Sequence, residues 1–316
     1  MGGPPMSSLE KNGRAARATG YEIASKRAHP SRDIHRTMPT IIDSHHHFWK
    51  YAPAEYSWIG QDKQILRRDF LPPDLKTQIA AAGVDGVISV QARQTIPETD
   101  WLLDLAEQND FIRGVVGWAP LIDPDVRRHL DGWAGRSKLL GLRHVLQDEP
   151  DDSYALRADF NAGISLLREY GLRYDILIFE RQLPAAIELA DRHPRQVFIL
   201  DHIAKPKIAA GELQPWRTQI LDLAKRPHVY CKISGMATEA NWQTWNPDQL
   251  RPYFETVLEA FGPSRLMFGS DWPVCLLACD YQRWKQTVAA WIAPLSPAEQ
   301  NKIWGETALE AYGLPR

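Results

Sequence analysis

The sequence predicts an α/β protein, a (β/α)8 (TIM) barrel, on three observations. Eight short apolar runs, rich in β-branched residues, follow one another from residue 39 to the C-terminal region. Longer stretches with helical periodicity separate most of them, as crossover helices separate buried parallel strands. Eight such units in about 275 residues match the size of that barrel. An open doubly wound sheet is the competing architecture, but no GxGxxG loop follows the first run, where its dinucleotide-binding version places one.

The runs are residues 40–43, 84–91, 112–118, 141–146, 173–179, 196–201, 228–233 and 265–269. Residues 74–83 read as a helix that closes on Gly83, the residue type expected just past a helix end. Residues 184–192 start on Pro184, which suits a first helical turn. Residues 296–304 open with Ser296, Pro297 and Glu299, the pattern of a capping box.

Residues 1–38 differ from the rest. They begin Gly2-Gly3-Pro4-Pro5, lack aliphatic periodicity, and hold seven Lys/Arg against three Asp/Glu, a net +4 that leaves −6 for the remainder. No apolar core of a secretory signal is present, and Glu10, Glu22 and Asp33 count against a transit peptide. The sequence predicts a disordered N-terminal extension over 1–38 and one barrel domain over 39–316. With Met38 directly before the barrel, the extension is either native or a start-site artefact.

The 316 residues are 44% hydrophobic and 24% charged, with a formal net charge of −2. No strong field favours nucleic acid, and no apolar stretch is long enough to span a bilayer. Cys231, Cys275 and Cys279 form neither a disulfide framework nor a CxxC motif, so a reducing cytoplasm is expected. Of the 12 tryptophans, several fall in predicted loops (Trp58, Trp118, Trp216, Trp242, Trp245, Trp272). Each is accounted for either by ordinary packing or by an apolar wall to a pocket.

Functional groups of such barrels sit at the C-terminal ends of strands. The first run ends in Asp43-Ser44-His45-His46-His47-Phe48-Trp49. Alternation along a strand sends His45 and His47 to one face and His46 to the other. The last run ends in Gly269-Ser270-Asp271-Trp272-Pro273, and a carboxylate there needs a partner, a metal or water. Gln91, Arg93, Trp118, His144, Gln147, Asp201, His202, Lys205, Lys232 and Ser234 end the other runs. A lone histidine such as His144 is more often structural, and Lys232 reads equally well as an inward ion-pair partner. His193 and His228 look incidental.

Taken together, His45-His46-His47-Phe48-Trp49, Leu200-Asp201-His202-Ile203-Ala204-Lys205-Pro206 and Phe268-Gly269-Ser270-Asp271-Trp272-Pro273 resemble the amidohydrolase superfamily, and within it the sugar-lactone lactonase branch, the amidohydrolase 2 family. Arg143-His144-Val145-Leu146-Gln147-Asp148-Glu149-Pro150 and Cys231-Lys232-Ile233-Ser234-Gly235 match the same group, so the resemblance covers residues 39–316. It implies a hydrolase that opens the lactone of a sugar acid such as L-fuconate or L-rhamnonate, or a dicarboxylate lactone from aromatic breakdown. By position, His45, His47, His202 and Asp271 correspond to the family's site residues. Asp271 is then the expected general base, the three histidines polarise the carbonyl, and His144, Arg93, Gln147, Lys205 and Trp118 bind substrate. The same His45, His47, His202 and Asp271 could ligate one divalent metal such as Zn²⁺. The fifth run lacks a histidine and the fourth a lysine, which argues against a binuclear centre and against a metal-dependent decarboxylase. A metal-free site is the alternative, and a non-catalytic binding barrel is disfavoured because binding alone needs no base beside three imidazoles.

Overall fold

The structure, a computed structural model, describes residues 1–3 and 40–315. Apart from its first three residues, the extension predicted over 1–38 lies outside them. The domain described below falls within Pro39–Arg316.

Eight parallel strands pair in sequence order: β1 (Ile42–His46), β2 (Gly86–Val90), β3 (Ile112–Gly117), β4 (Leu139–His144), β5 (Arg173–Ile176), β6 (Phe198–Leu200), β7 (Val229–Ile233) and β8 (Leu266–Phe268). A helix follows each: α1 (Pro72–Ala82), α2 (Ile96–Gln108), α3 (Val126–Trp133), α4 (Ala158–Leu167), α5 (Leu183–Arg192), α6 (Trp216–Leu223), α7 (Pro247–Phe261) and α8 (Tyr281–Ile292). This is the (β/α)8 order that the apolar runs predict. The ring closes between β1 and β8 through a parallel bridge of His46 with Trp272. The Asp271 N–H donates to the His45 carbonyl at 2.8 Å and the His47 N–H to the Trp272 carbonyl at 2.7 Å. The two sequence segments richest in chemistry are therefore neighbours across the closing seam.

Consecutive strand residues divide between two apolar clusters. Phe198, Leu200, Leu266 and Phe268 join the larger one, which packs strands against helices, whereas Ile199 and Met267 join a smaller one with Ile42, Ile88, Val90 and Val116. That division is the period of two that separates the outer from the inner face of a barrel strand. The smaller cluster continues into Ala308, Leu309 and Tyr312 of a C-terminal helix, α10 (Thr307–Tyr312).

Helix boundaries follow local chemistry. Thr95 caps α2 by accepting from the Glu98 N–H, and α1 stops at Gly83 with φ +63°. Ser296 and Glu299 form the predicted capping box at the head of α9 (Pro297–Asn301). The helix predicted over 296–304 is interrupted: a π turn spans Lys302–Glu306 before α10. A Cβ on Gly305 would stand 2.1 Å from the Thr40 carbonyl oxygen, so the widened turn brings bare backbone against the entry to β1. Among the described residues no helix is long and apolar enough to cross a membrane. All three cysteines are buried.

Candidate active site

The β1 pairing shifts register between Asp43 and His46, a bulge of the kind that re-aims side chains at barrel rims. Asp43 holds the segment in place. Its Oδ1 accepts from the His45 N–H at 3.1 Å and the Ser270 N–H at 2.8 Å, and its Oδ2 accepts from the Tyr281 hydroxyl at 2.9 Å. Burial pushes the Asp43 carboxyl up to about 6 against those hydrogen bonds. His46 turns to Ser89, 2.8 Å from its hydroxyl, so it faces away from the site as alternation requires.

His45 and His47 meet with their Nε2 atoms 3.2 Å apart. His47 Nδ1 is 2.8 Å from the Val90 carbonyl. A carbonyl only accepts, so Nδ1 carries the proton and Nε2 of the neutral ring presents a lone pair. Asp271 Oδ1 lies 3.4 Å from that atom, 3.8 Å from His45 Nε2 and 3.9 Å from His202 Nε2. Asp271 has φ +58°, a left-handed conformation that aspartate tolerates better than most residues.

His202 is placed by unusual backbone. His202, Ile203, Ala204 and Lys205 have φ of 52°, 50°, 61° and 44°, four consecutive left-handed residues, each costing about 1–2 kcal/mol. Ile203 is β-branched, which makes it an outlier. Surrounding groups hold the turn: the Trp216 indole N–H donates to the Ile203 carbonyl at 2.7 Å, and the Lys205 N–H to the His202 carbonyl at 2.8 Å. Ser234 Oγ is 2.9 Å from His202 Nδ1. Gly235, at φ +63°, gives the ring room, since a Cβ there would stand 2.5 Å from Nδ1.

Beneath the imidazoles lies a buried ion cluster. Lys232 Nζ is 2.5 Å from Asp175 Oδ2, 3.0 Å from Asp201 Oδ1 and 3.2 Å from His45 Nδ1. Asp201 also stands 3.2 Å from His45 Nδ1 and accepts from Arg143 at 2.9 Å, while the Tyr312 hydroxyl donates to Asp175 at 2.7 Å. Burial, assisted by Lys232, keeps His45 well below the usual imidazole range despite Asp201. Burial also lifts Asp201, but Lys232, His45 and Arg143 outweigh it and hold the carboxyl well below the usual range.

Burial raises Asp271 too. The charge on His202, the hydrogen bond and charge of His47 and the Lys205 ammonium more than offset that, leaving the carboxyl low. The His202 contribution needs a protonated ring, whereas burial lowers His202 to about 4. The His47 contribution likewise needs a proton on Nε2, which the Nδ1–H tautomer of the neutral ring lacks, so near neutral pH it is the Lys205 ammonium that still favours the Asp271 carboxylate.

A cavity of about 850 Å³ opens over this floor, within the usual range for small-molecule sites. His47, His202, Asp271, Arg93, Gln147 and Lys205 line it, as does Arg143. Trp58, Trp242 and Phe179 supply apolar wall, whereas Trp216, Trp245 and Trp272 are buried in the core. His45 is fully buried behind the floor. Two expected substrate-binding residues are not in the wall. The His144 ring stacks on Tyr154 with centroids 5.2 Å apart and sits 2.6 Å from Glu149, and Trp118 donates its indole N–H to His144. The reason is alternation: Leu142 and His144 share the outer face of β4, which leaves Arg143 on the inner one. Leu142, in the outer cluster, was the signal that could have found Arg143. Glu239, also in the wall, lies in the loop after β7, where periodicity gives no sign of it.

The donor set fits one divalent ion. Tetrahedral Zn²⁺ with bonds of about 2.0–2.2 Å holds neighbouring ligand atoms roughly 3.3–3.6 Å apart, and the distances of 3.2, 3.4, 3.8 and 3.9 Å above approach that spacing. His47 also has the backbone-carbonyl partner that commonly orients a metal-ligating histidine. His45, His47 and Asp271 form one three-ligand group, and His45, Asp201 and His202 another.

A barrel hydrolase site of this kind defines a class, and comparison with known proteins agrees. The amidohydrolase family model matches residues 42–314, and the chain belongs to that family. It is 42% identical over 285 residues to an L-fucono-1,5-lactonase of Burkholderia multivorans, covering 87% of this chain and 96% of that one. An L-fucono-1,5-lactonase of Burkholderia ambifaria is 37% identical over 289 residues, covering 88% and 97%. A crystal structure of an amidohydrolase from Burkholderia multivorans with bound Zn superposes with a TM-score of 0.85 at 43% identity, covering 87% of this chain and all of that one.

Proposed function

We propose that the protein hydrolyses the lactone of a sugar acid, such as L-fuconolactone or L-rhamnonolactone. The observation that carries this reading is the Asp271 carboxyl group, placed with His47 and His202 on the floor of a cavity large enough for a sugar ring. The two L-fucono-1,5-lactonases support the substrate class. The wall favours a neutral, hydroxylated ring over a dicarboxylate, because its cations are already partnered. Arg93 Nη1 lies 2.6 Å from Glu55, Lys205 Nζ 3.8 Å from Glu239, and Arg143 2.9 Å from Asp201.

In the mechanism, Asp271 takes a proton from water as its oxygen bonds to the lactone carbonyl carbon. The tetrahedral intermediate collapses by breaking the bond to the ring oxygen, and Asp271 returns the proton to the hydroxyl that forms. His47 and His202 flank Asp271 and orient the water. Arg93, Gln147 and Lys205 meet ring hydroxyls, with Trp58 and Trp242 as apolar faces. A divalent ion held by His45, His47, His202 and Asp271 would polarise the carbonyl and acidify the water.

The test is a pH-indicator screen of aldonolactones and one dicarboxylate lactone, with and without chelator. We expect turnover of a sugar lactone, and a drop in kcat of about 10²–10⁴-fold in Asp271→Asn with the melting temperature preserved. A variant retaining more than about a tenth of wild-type kcat would show that Asp271 is not the base. Release of CO₂ from an aromatic acid in place of lactone opening would move the reading to a decarboxylase.

A further inference from the structure

Arg143 stands beside His45 at the floor of the site. It leaves β4 on the inner face, is 4% exposed, and reaches the cavity floor. Nη1 donates to Asp201 Oδ2 at 2.9 Å and lies 3.4 Å from His45 Nε2; Nη2 donates to the Gln91 carbonyl at 2.5 Å. These contacts fix the plane of the guanidinium. They use three of its five N–H groups, and Nε has no hydrogen-bond partner among the described residues. A permanent cation with donors to spare is thus clamped beside His45 Nε2, one of the atoms that, with His47, His202 and Asp271, would hold a divalent ion.

We propose that Arg143 is a catalytic residue and the site's built-in cation: it donates to the lactone carbonyl oxygen as that oxygen becomes an oxyanion, and its charge weakens the hold of the histidine–aspartate set on a divalent metal. The inference rests on the lactonase reading for the first role, while the second is read independently of any substrate. Preorganised donors of this kind typically contribute about 10²–10³-fold to kcat. A like charge a few ångströms from the ion position opposes its binding, and with the proton on His45 Nδ1, toward Asp201, Arg143 Nη1 competes directly for the Nε2 lone pair. Lysine at this position keeps the charge but loses the planar fork that reaches Asp201 and the substrate together.

The experiment compares metal-stripped, full-length wild type, Arg143→Gln and Arg143→Lys. Zn²⁺ affinity is measured by competition with a chromogenic chelator, and kcat and KM on the lactone that the wild type opens. Arg143→Gln is expected to bind Zn²⁺ at least tenfold more tightly than wild type. Its kcat without metal is expected to fall by about 10²–10³-fold while KM stays within threefold. Arg143→Lys is expected to keep wild-type Zn²⁺ affinity within threefold and still lose at least tenfold in kcat. It carries the test if removal of the charge prevents folding. Equal Zn²⁺ affinity in Arg143→Gln and wild type, or full kcat in Arg143→Lys, overturns the proposal. Absence of lactone turnover by the wild type with the Zn²⁺ difference intact would instead overturn the lactonase reading.

Discussion

Replacing Gly235 by alanine puts a methyl carbon 2.5 Å from His202 Nδ1 and 2.6 Å from its Cγ. Ordinary contact begins at 3.4 Å, so the imidazole must withdraw by about 0.9 Å or the backbone must shift. The ring has little freedom to yield. It sits on a left-handed turn whose next residue, Ile203, is fully buried and tied to Trp216, and its Nδ1 contact to Ser234 would be broken or strained. Gly235 itself has φ +63°, where a side chain costs about 1–2 kcal/mol. The expected stability loss is therefore about 1–2 kcal/mol plus a smaller packing term. The expected catalytic loss is larger, about 10²-fold in kcat, because misplacing a group by about 1 Å at the reacting centre costs that much. Thermal melting and steady-state kinetics on the identified lactone separate the two. A variant that melts about 2–3 °C lower, as about 1–2 kcal/mol would cause on a chain of this size, yet keeps kcat within threefold would refute the argument that Gly235 exists to seat His202.

Two other perturbations probe the scaffold. Lys232→Met leaves Asp175 and Asp201 without the ammonium between them, and breaking a buried pair in this way is expected to cost about 3–5 kcal/mol, read as a lower midpoint of denaturant unfolding. Glu98 is fully buried and accepts from the N–H groups of Ala92 and Arg93; burial raises its carboxyl from 4.5 to about 7 against those bonds and the Arg93 charge. The folded state then keeps a proton that the unfolded chain releases, so the stability contributed by Glu98 is complete below pH 4.5 and is lost as pH rises through 7. Relative to Glu98→Gln, wild type should lose about 3 kcal/mol across that window, and a pH-independent difference between the two would show that Glu98 is ionised throughout.

Much of the site was legible in the chain because strands alternate. His45 and His47 share a face whatever surrounds them, and a polar residue closing a buried run, such as Asp271, marks the functional rim. On β4 the sequence reading singles out the polar residues at the end of the run, His144 and Gln147, and passes over Arg143, which lines the cavity. The fourth run was placed at 141–146, whereas the strand covers Leu139–His144, and only its pairing with β3 and β5 fixes which face is inside.

The sequence by itself determined the barrel, because eight β-branched runs with helical intervals admit few other ways to bury themselves. It also singled out four residues that the fold brings together, His45, His47, His202 and Asp271. Tertiary structure alone decided how they meet. Joining β1 to β8 across the seam places Asp271 3.4 Å from His47 over a separation of more than 200 residues, and the left-handed turn at His202–Lys205 exists only because Trp216, Ser234 and Gly235 hold and admit it. The charge state of the floor was likewise decided there. Lys232, Asp175, Asp201 and Arg143 come from four different strands or strand ends, and their fields depend on separations of a few ångströms in a buried, weakly screened interior, which no local pattern encodes.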